Sequence, residues 1–182
     1  RHKFGHDFEM WRPIAARVVE KVVWFTKATD TPRWLDVGFG AGDMLMAAEE
    51  YGYRTTGFDI SEANVAAAKG LGIEAYCHGL EQAGSEAMYD VVSLADVLEH
   101  MPFPLVSLAK VNRILRPDGL LFVSMPNYNC PAWRLLDKSY NPYWEEIEHY
   151  HNFSRTKLEN LLDEVGFTPI HYGVSERYRL GM

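Results

Sequence analysis

Apolar residues in this chain come in short bursts punctuated by glycine, proline and acidic residues, and the bursts alternate between two periods. After Pro13, the residues Ile14, Val18, Val22 and Phe25 recur at helical spacing, so a helix is expected to open at that proline and lay one face on a sheet. Trp34, Leu35 and Val37 form the compact run of a strand buried on both faces. That run breaks into Gly38, Gly40 and Gly42, and helix-forming residues resume from Met44 to Glu50. The alternation then repeats. Strands are expected at 54–60, 73–77 and 90–95, and in the LLFVSMP run of 120–126 that follows an RPDG turn. Helices are expected at 61–70, 102–115 and 154–166, two of them opened by capping serines, Ser61 and Ser154. Residues 168–180 read as two closing strands. The pattern predicts an α/β fold, a doubly wound Rossmann-like sheet of mostly parallel strands with helices on both faces. One domain spans 1–182, with residues 1–30 as an N-terminal helical cap.

Composition narrows the class without identifying the chemistry. The chain has 182 residues, 47% of them hydrophobic, enough for one substantial core and with no apolar run of membrane-spanning length. It begins at Arg1 and shows no signal peptide, so it reads as a piece of a longer polypeptide from which a targeting segment could be missing. Cys77 and Cys130 have neither the number nor the spacing of a disulfide framework or a zinc site, and a cytoplasmic location is expected. A net charge of −7 argues against wrapping nucleic acid, which needs a local excess of Lys and Arg. A small uncharged or cationic partner fits better, and oligomeric state stays open.

Glycines at alternate positions let a ligand approach backbone where a Cβ would clash. The spacing is G-x-G-x-G, one residue shorter than the dinucleotide fingerprint, with Asp36 two residues before it and Asp43 just after. A carboxylate aimed into the loop suits a ligand carrying positive charge or amine donors rather than a pyrophosphate. Asp59, seventeen residues beyond Gly42, closes the second strand, where a carboxylate can accept both hydroxyls of a ribose.

With those residues in view, the loop resembles motif I of the class I (seven-stranded) S-adenosylmethionine (SAM) dependent methyltransferases of small-molecule type. YDVVSLADVLEHMPFP at 89–104 and the H-x-H-x-F-S-x-x-x-L run from His149 to Leu158 are also similar to members of that family. The resemblance extends from Leu35 through Phe167. It implies SAM as cofactor and S-adenosylhomocysteine as product, and an antiparallel final strand at the sheet edge. It further implies a cofactor site of Asp36, Gly38, Gly40, Gly42, Asp59 and Ile60, with Ala95 and Asp96 near the cofactor's ammonium. His78 and Gly79 replace the family's usual Gly-Asp pair, so the adenine amino group falls to Glu81 or to backbone near Leu80. In this family an N-terminal segment often closes over the cofactor, which would bring in Phe4, Trp11 or Arg12, although a surface cap is the plainer expectation.

The implied reaction is attack of an oxygen or nitrogen lone pair on a sulfonium methyl, with a thioether leaving. The protein can add alignment, exclusion of water and, for a hydroxyl acceptor, a base. His149, His151 and His100 are the candidates, since histidine ordinarily titrates near neutrality; each could equally be a structural histidine. Residues 127–153 hold Tyr128, Trp133, Tyr140, Tyr143, Trp144 and Tyr150 and are expected to be a lid over a small-molecule acceptor. Glu145, Glu146 and Glu148 with His149 and His151 offer metal donors, but adjacent carboxylates usually form a solvated face, and no metal is expected. Transfer to oxygen is the leading expectation. A SAM-binding module with a regulatory or assembly role stands as the alternative, and an NAD-dependent oxidoreductase behind it.

Overall fold

The computed structural model describes residues 4, 8–27, 29–84, 87–129 and 149–173, of which Phe8 and Glu9 are described in backbone only. Five strands form one sheet: β1 (Arg33–Val37), β2 (Arg54–Phe58), β3 (Glu74–Tyr76), β4 (Tyr89–Ala95) and β5 (Leu115–Ser124), in the order β3-β2-β1-β4-β5. All four pairings are parallel. Helix α1 (Phe8–Phe25) precedes the sheet, and α2 (Asp43–Glu50), α3 (Glu62–Gly70), α4 (Pro104–Ile114) and α5 (Arg155–Glu164) follow β1, β2, β4 and β5 in chain order. The order of strands reverses between β1 and β4. At such a reversal the loops leaving two adjacent strands diverge, so a crevice opens at their carboxyl ends.

Strand β4 is buried at six consecutive positions, which is why YDVVSLA shows no alternation of apolar and polar residues: both faces are covered. Trp34, Ala47, Ala48, Tyr53 and Val91 pack with Ala15, Val19 and Val22 of α1 on one face. Leu35, Val37, Val92 and Leu94 meet Leu108, Val111 and Ile114 of α4 and Leu162 of α5 on the other. At the amino end of the sheet, Asp90 ties three strands together. Its Oδ2 accepts the Arg33 backbone N–H at 2.7 Å, and its carboxylate takes the Arg116 guanidinium at 2.9 Å. A cavity of about 450 Å³ lined by Asp30, Thr31, Arg33, Gly52 and Arg54 opens at this same end, away from the glycine loop.

Three expectations need correction. The described sheet has five parallel strands and no antiparallel one, and Thr168 to Gly173 form no strand. Pro169 lacks a donor for a ladder, and Ile170 and Tyr172 are mostly solvent-exposed, so this segment has neither pairing nor a buried face; residues 174–182 lie outside the described residues. Helix α1 begins at Phe8 and contains Pro13. Pro13 is the sixth residue of the helix, past the four N–H groups that have no intrahelical partner, so the bond to the Glu9 carbonyl is forgone. The inward stripe of α1 is Ala15, Val19 and Val22, while Phe25 is exposed. The RPDG segment bulges within β5, between the pairs Tyr89–Leu115 and Val91–Leu120, with Asp118 at φ 64°. No helix among the described residues is long and apolar enough to cross a membrane.

Candidate active site

The glycine loop lies at the carboxyl end of β1, facing the crevice. Gly38 has φ 68°, and a Cβ there would stand 2.6 Å from Val97 Cγ2, so glycine is required by packing against the loop after β4 as well as by backbone conformation. Gly42 caps α2 in a left-handed conformation at φ 83°. The ring of Phe4 rests on it where a Cβ would project. Phe4 also meets Phe39 edge-on at 5.9 Å and donates its backbone N–H to Asn64 Oδ1 at 3.1 Å. The segment before α1 therefore reaches the loop, whereas Arg12 points to α2, pairing with Glu50 at 2.8 Å.

Asp36 is buried within β1, and its Oδ1 accepts from Ser93 Oγ at 2.5 Å. Ser93 in turn accepts from Trp34 Nε1 at 2.8 Å. Burial pushes the Asp36 carboxyl up to about 7; the Ser93 hydrogen bond opposes that rise, and the neighbouring charges of Asp59 and Asp43 add to it. Asp59, at the end of β2, already holds two backbone donors. Its Oδ2 accepts from Gly40 N–H at 2.8 Å and its Oδ1 from Ser61 N–H at 2.7 Å. Each carboxylate oxygen has two lone pairs, so acceptor capacity is left for a further donor on each. Beside it, the apolar side chain of Ile60 is 88% exposed. Leu80 is buried in the core, leaving its backbone as the part that can face a ligand. Glu81 folds its carboxylate over Gly79.

Across the crevice, Ala95 ends β4 opposite Ser124. Asp96 follows with φ 55°, a left-handed conformation uncommon outside glycine. It is fixed from both sides, by its own N–H on Ser124 O at 2.9 Å and by Ser124 Oγ on its Oδ1 at 3.2 Å. The chain then turns through Leu98–His100. Glu99 is 2% exposed, and the rings of His100 and His149 lie 4.6 Å apart. Glu99, His100 and His149 each bring one potential ligand atom within 4.8 Å of the others, a donor set that a divalent ion could use.

His151 sits differently. Its backbone N–H donates to Glu99 O at 3.2 Å, and its Nε2 lies 3.3 Å from Pro102 O. A carbonyl can only accept, so Nε2 carries the proton in that contact and only Nδ1 is left as a base. The structure thus brings His100 and His149 together and turns His151 into a tie between loops. Asn127 bridges Phe153, and Tyr128 N–H donates to Phe153 O at 2.8 Å. The expected lid residues Trp133, Tyr140, Tyr143 and Trp144, together with Cys130, Glu145, Glu146 and Glu148, lie outside the described residues. Sequence reasoning missed Ser93, Trp34 and the burial of Glu99. A lone serine inside an otherwise apolar buried strand was the available signal for the first.

The family described as a methyltransferase domain matches residues 8–172. Among curated proteins, the ubiquinone biosynthesis O-methyltransferase of Nitrosococcus oceani is 30% identical over 177 residues, covering 82% of this chain and 71% of that protein. The protein of the same name from Vibrio cholerae is 29% identical, covering 82% and 69%. Among solved structures, a SAM-dependent methyltransferase from Archaeoglobus fulgidus aligns with a TM-score of 0.67 at 20% identity, over 86% of this chain and 69% of its own. A 1,6-didemethyltoxoflavin N1-methyltransferase from Burkholderia thailandensis, solved with its acceptor and S-adenosylhomocysteine, gives 0.66 at 23% identity, over 86% and 67%. At those identities the structures speak for the fold alone.

Proposed function

Because the chain belongs to the methyltransferase domain family, as a class I SAM-dependent enzyme of the small-molecule type, we propose that it transfers the methyl of SAM to a hydroxyl oxygen of a small acceptor. The observation that carries this reading is the pairing of His100 with His149, rings 4.6 Å apart, in the segment after β4 whose Val97 packs on Gly38. A hydroxyl must shed its proton as it attacks the methyl, and an imidazole at that edge can take it. The curated relatives are named as O-methyltransferases, which agrees. The cofactor would lie across the switch point. Gly38, Gly40 and Gly42 would give it room, Asp59 would accept its ribose hydroxyls, Ile60 would pack on the adenine and Leu80 backbone would edge it. Asp36 and the Ala95–Asp96 turn would face the ammonium. Residues 127–153 would cover the acceptor, within a single domain and in the cytoplasm.

SAM brings an electrophilic methyl on a sulfonium; what this chain adds is position and proton acceptance. Asp96 and Ser124 fix the turn that presents His100, and the Glu99 carbonyl bonded to His151 N–H holds the returning segment that carries His149. Effective concentration gained by such alignment is a large share of what a methyl transfer needs. The test is methyl transfer from labelled SAM to a panel of phenols, catechols and quinols alongside the same compounds with hydroxyls blocked, and alongside amines. Turnover confined to free hydroxyls supports the proposal; turnover on amines only, or cofactor binding with no turnover at all, overturns it.

A second reading rests on the spacing of Glu99, His100 and His149: a divalent ion held there would orient acceptor hydroxyls and lower their pKa. Activity lost to a chelator and regained with a divalent ion would favour it over the imidazole base.

A further inference from the structure

Ser93 has one hydroxyl hydrogen and two acceptors within reach. Trp34 Nε1 donates to its oxygen at 2.8 Å, so the hydroxyl proton must go elsewhere. Asp36 Oδ1 lies 2.5 Å away and the Leu35 carbonyl 3.4 Å away. With Asp36 ionised, Ser93 donates to the carboxylate. With Asp36 protonated on Oδ1, the carboxyl donates to Ser93 and the serine turns its hydrogen to Leu35 O. Both arrangements satisfy Trp34 Nε1, Ser93 Oγ and Asp36 Oδ1, in a place where an unsatisfied polar atom is costly. Trp34 and Ser93 are both 0% exposed, and Asp36 is 2% exposed.

We propose that Trp34 and Ser93 form a two-position hydroxyl switch that lets Asp36 stay neutral in the empty site and become a carboxylate when the cofactor's cationic end arrives, with one proton released to solvent. Ser93 and Trp34 are positioning residues in this scheme. The inference rests on the cofactor reading above. Its physical basis is that the empty loop gathers acids: Asp59 at the end of β2 and Asp43 at the start of α2 both act on Asp36. Burial and the like charges of Asp59 and Asp43 together make the ionised form of Asp36 costly. An incoming ammonium or sulfonium removes that obstacle, and the proton on Asp36 becomes the one to leave. The raised titration of Asp36 is consistent with this and places the exchange near neutral pH. A cofactor-sized ligand without the cation cannot draw the charge onto Asp36, so the switch selects for charge as well as shape.

The experiment is calorimetric titration of the whole protein with S-adenosylhomocysteine and with SAM, in buffers of different ionisation enthalpy, between about pH 5.5 and 8.5, where protons released per ligand bound are read directly. Wild type should release roughly half a proton near pH 7, more toward pH 6 and almost none near pH 8.5. Ser93→Ala removes a donor that favours the carboxylate, so its release should move upward by about one pH unit, with affinity near pH 7 down by about fivefold. Ser93→Thr keeps the hydroxyl and should restore the wild-type profile. Asp36→Asn is nearly isosteric and cannot ionise; it should release nothing and bind with a flat pH dependence. Thermal melts confirm that each variant is folded. Release unchanged in Asp36→Asn, or a Ser93→Ala profile identical to wild type, overturns the switch alone. Failure of folded wild type to bind either ligand overturns the cofactor reading beneath it.

Discussion

Replacing Asp59 by alanine should weaken the cofactor-free protein as well as its grip on the cofactor, because this carboxylate already works for the fold. It accepts the Gly40 and Ser61 backbone N–H groups at 2.8 and 2.7 Å. Hydrogen bonds to charged groups are worth about 1.5–3 kcal/mol each. Ser61 opens α3 near solvent and water can replace its partner, so the loss on folding is dominated by Gly40 and should come to about 2 kcal/mol. In a domain of this size that is a fall of about 4–8 °C in Tm. Cofactor affinity should fall by more than tenfold, since two ribose donors lose a charged acceptor and the loop that receives the cofactor loses its tether. Differential scanning calorimetry without ligand and titration with S-adenosylhomocysteine measure the two effects separately. Asp59→Asn should recover part of the stability, as its single carbonyl oxygen can still accept from Gly40, while remaining weak for cofactor. A Tm unchanged in Asp59→Ala would refute the tether, and an unchanged isotherm would remove Asp59 from the ribose site.

Gly38→Ala should both destabilise the protein and impair cofactor binding, and pairing it with Val97→Ala, which clears the 2.6 Å clash but not the strain of φ 68°, should recover only part of the loss in thermal melts. Asp36 has a folded pKa raised to about 7 from 3.8; its contribution to stability is therefore full below about pH 4 and lost as pH rises to about 7. That contribution is at most about 4 kcal/mol, and Asp36→Asn should flatten this part of the apoprotein's stability profile. His100→Ala or His149→Ala should cost about 10²–10⁴-fold in turnover on a hydroxyl acceptor, with rate recovering at high pH as the acceptor ionises unaided. His151→Ala should instead lower thermal stability modestly and leave the pH profile of kcat in place, since its ring serves Pro102; a base-like profile for this variant would reverse the assignment.

Strand identity, strand order of appearance and the caps at Ser61 and Ser154 were legible because local chemistry decides them: compact apolar runs, glycines at alternate positions, a hydroxyl three residues before a free N–H. The ends of the chain were not. Pro13 looked like a helix opening, but the helix begins at Phe8 and carries the proline within it. Residues 168–180 read as two closing strands, but only neighbours decide whether an edge segment finds a partner, and no local pattern carries that information. At the site, Asp36 and Asp59 could be located from spacing, whereas what they touch depends on register across strands. Ser93 meets Asp36 because β1 and β4 align Asp36 with Ser93, a pairing of residues fifty-seven apart in the chain. For the same reason three histidines looked equivalent in the sequence, and only the loop contacts separate His151 from the other two.

The residues that flank 130–148 are joined to one another. Asn127 and Tyr128 on one side grip Phe153 on the other, and Phe153 is 2% exposed, rooted in the core beneath α5. His151 adds a second stitch to the Glu99 carbonyl. Closing a longer loop between fixed points costs little, with each doubling of length adding only about 0.6 kcal/mol. On the proposed reading, in which residues 130–148 face the acceptor, these anchors would let that stretch vary as a cassette. Exchange of residues 130–148 with the equivalent stretch of another methyltransferase should alter which acceptor is taken and leave the cofactor isotherm where it was. In evolutionary terms, the acceptor can drift while the methyl donor's site stays under its own, separate constraint.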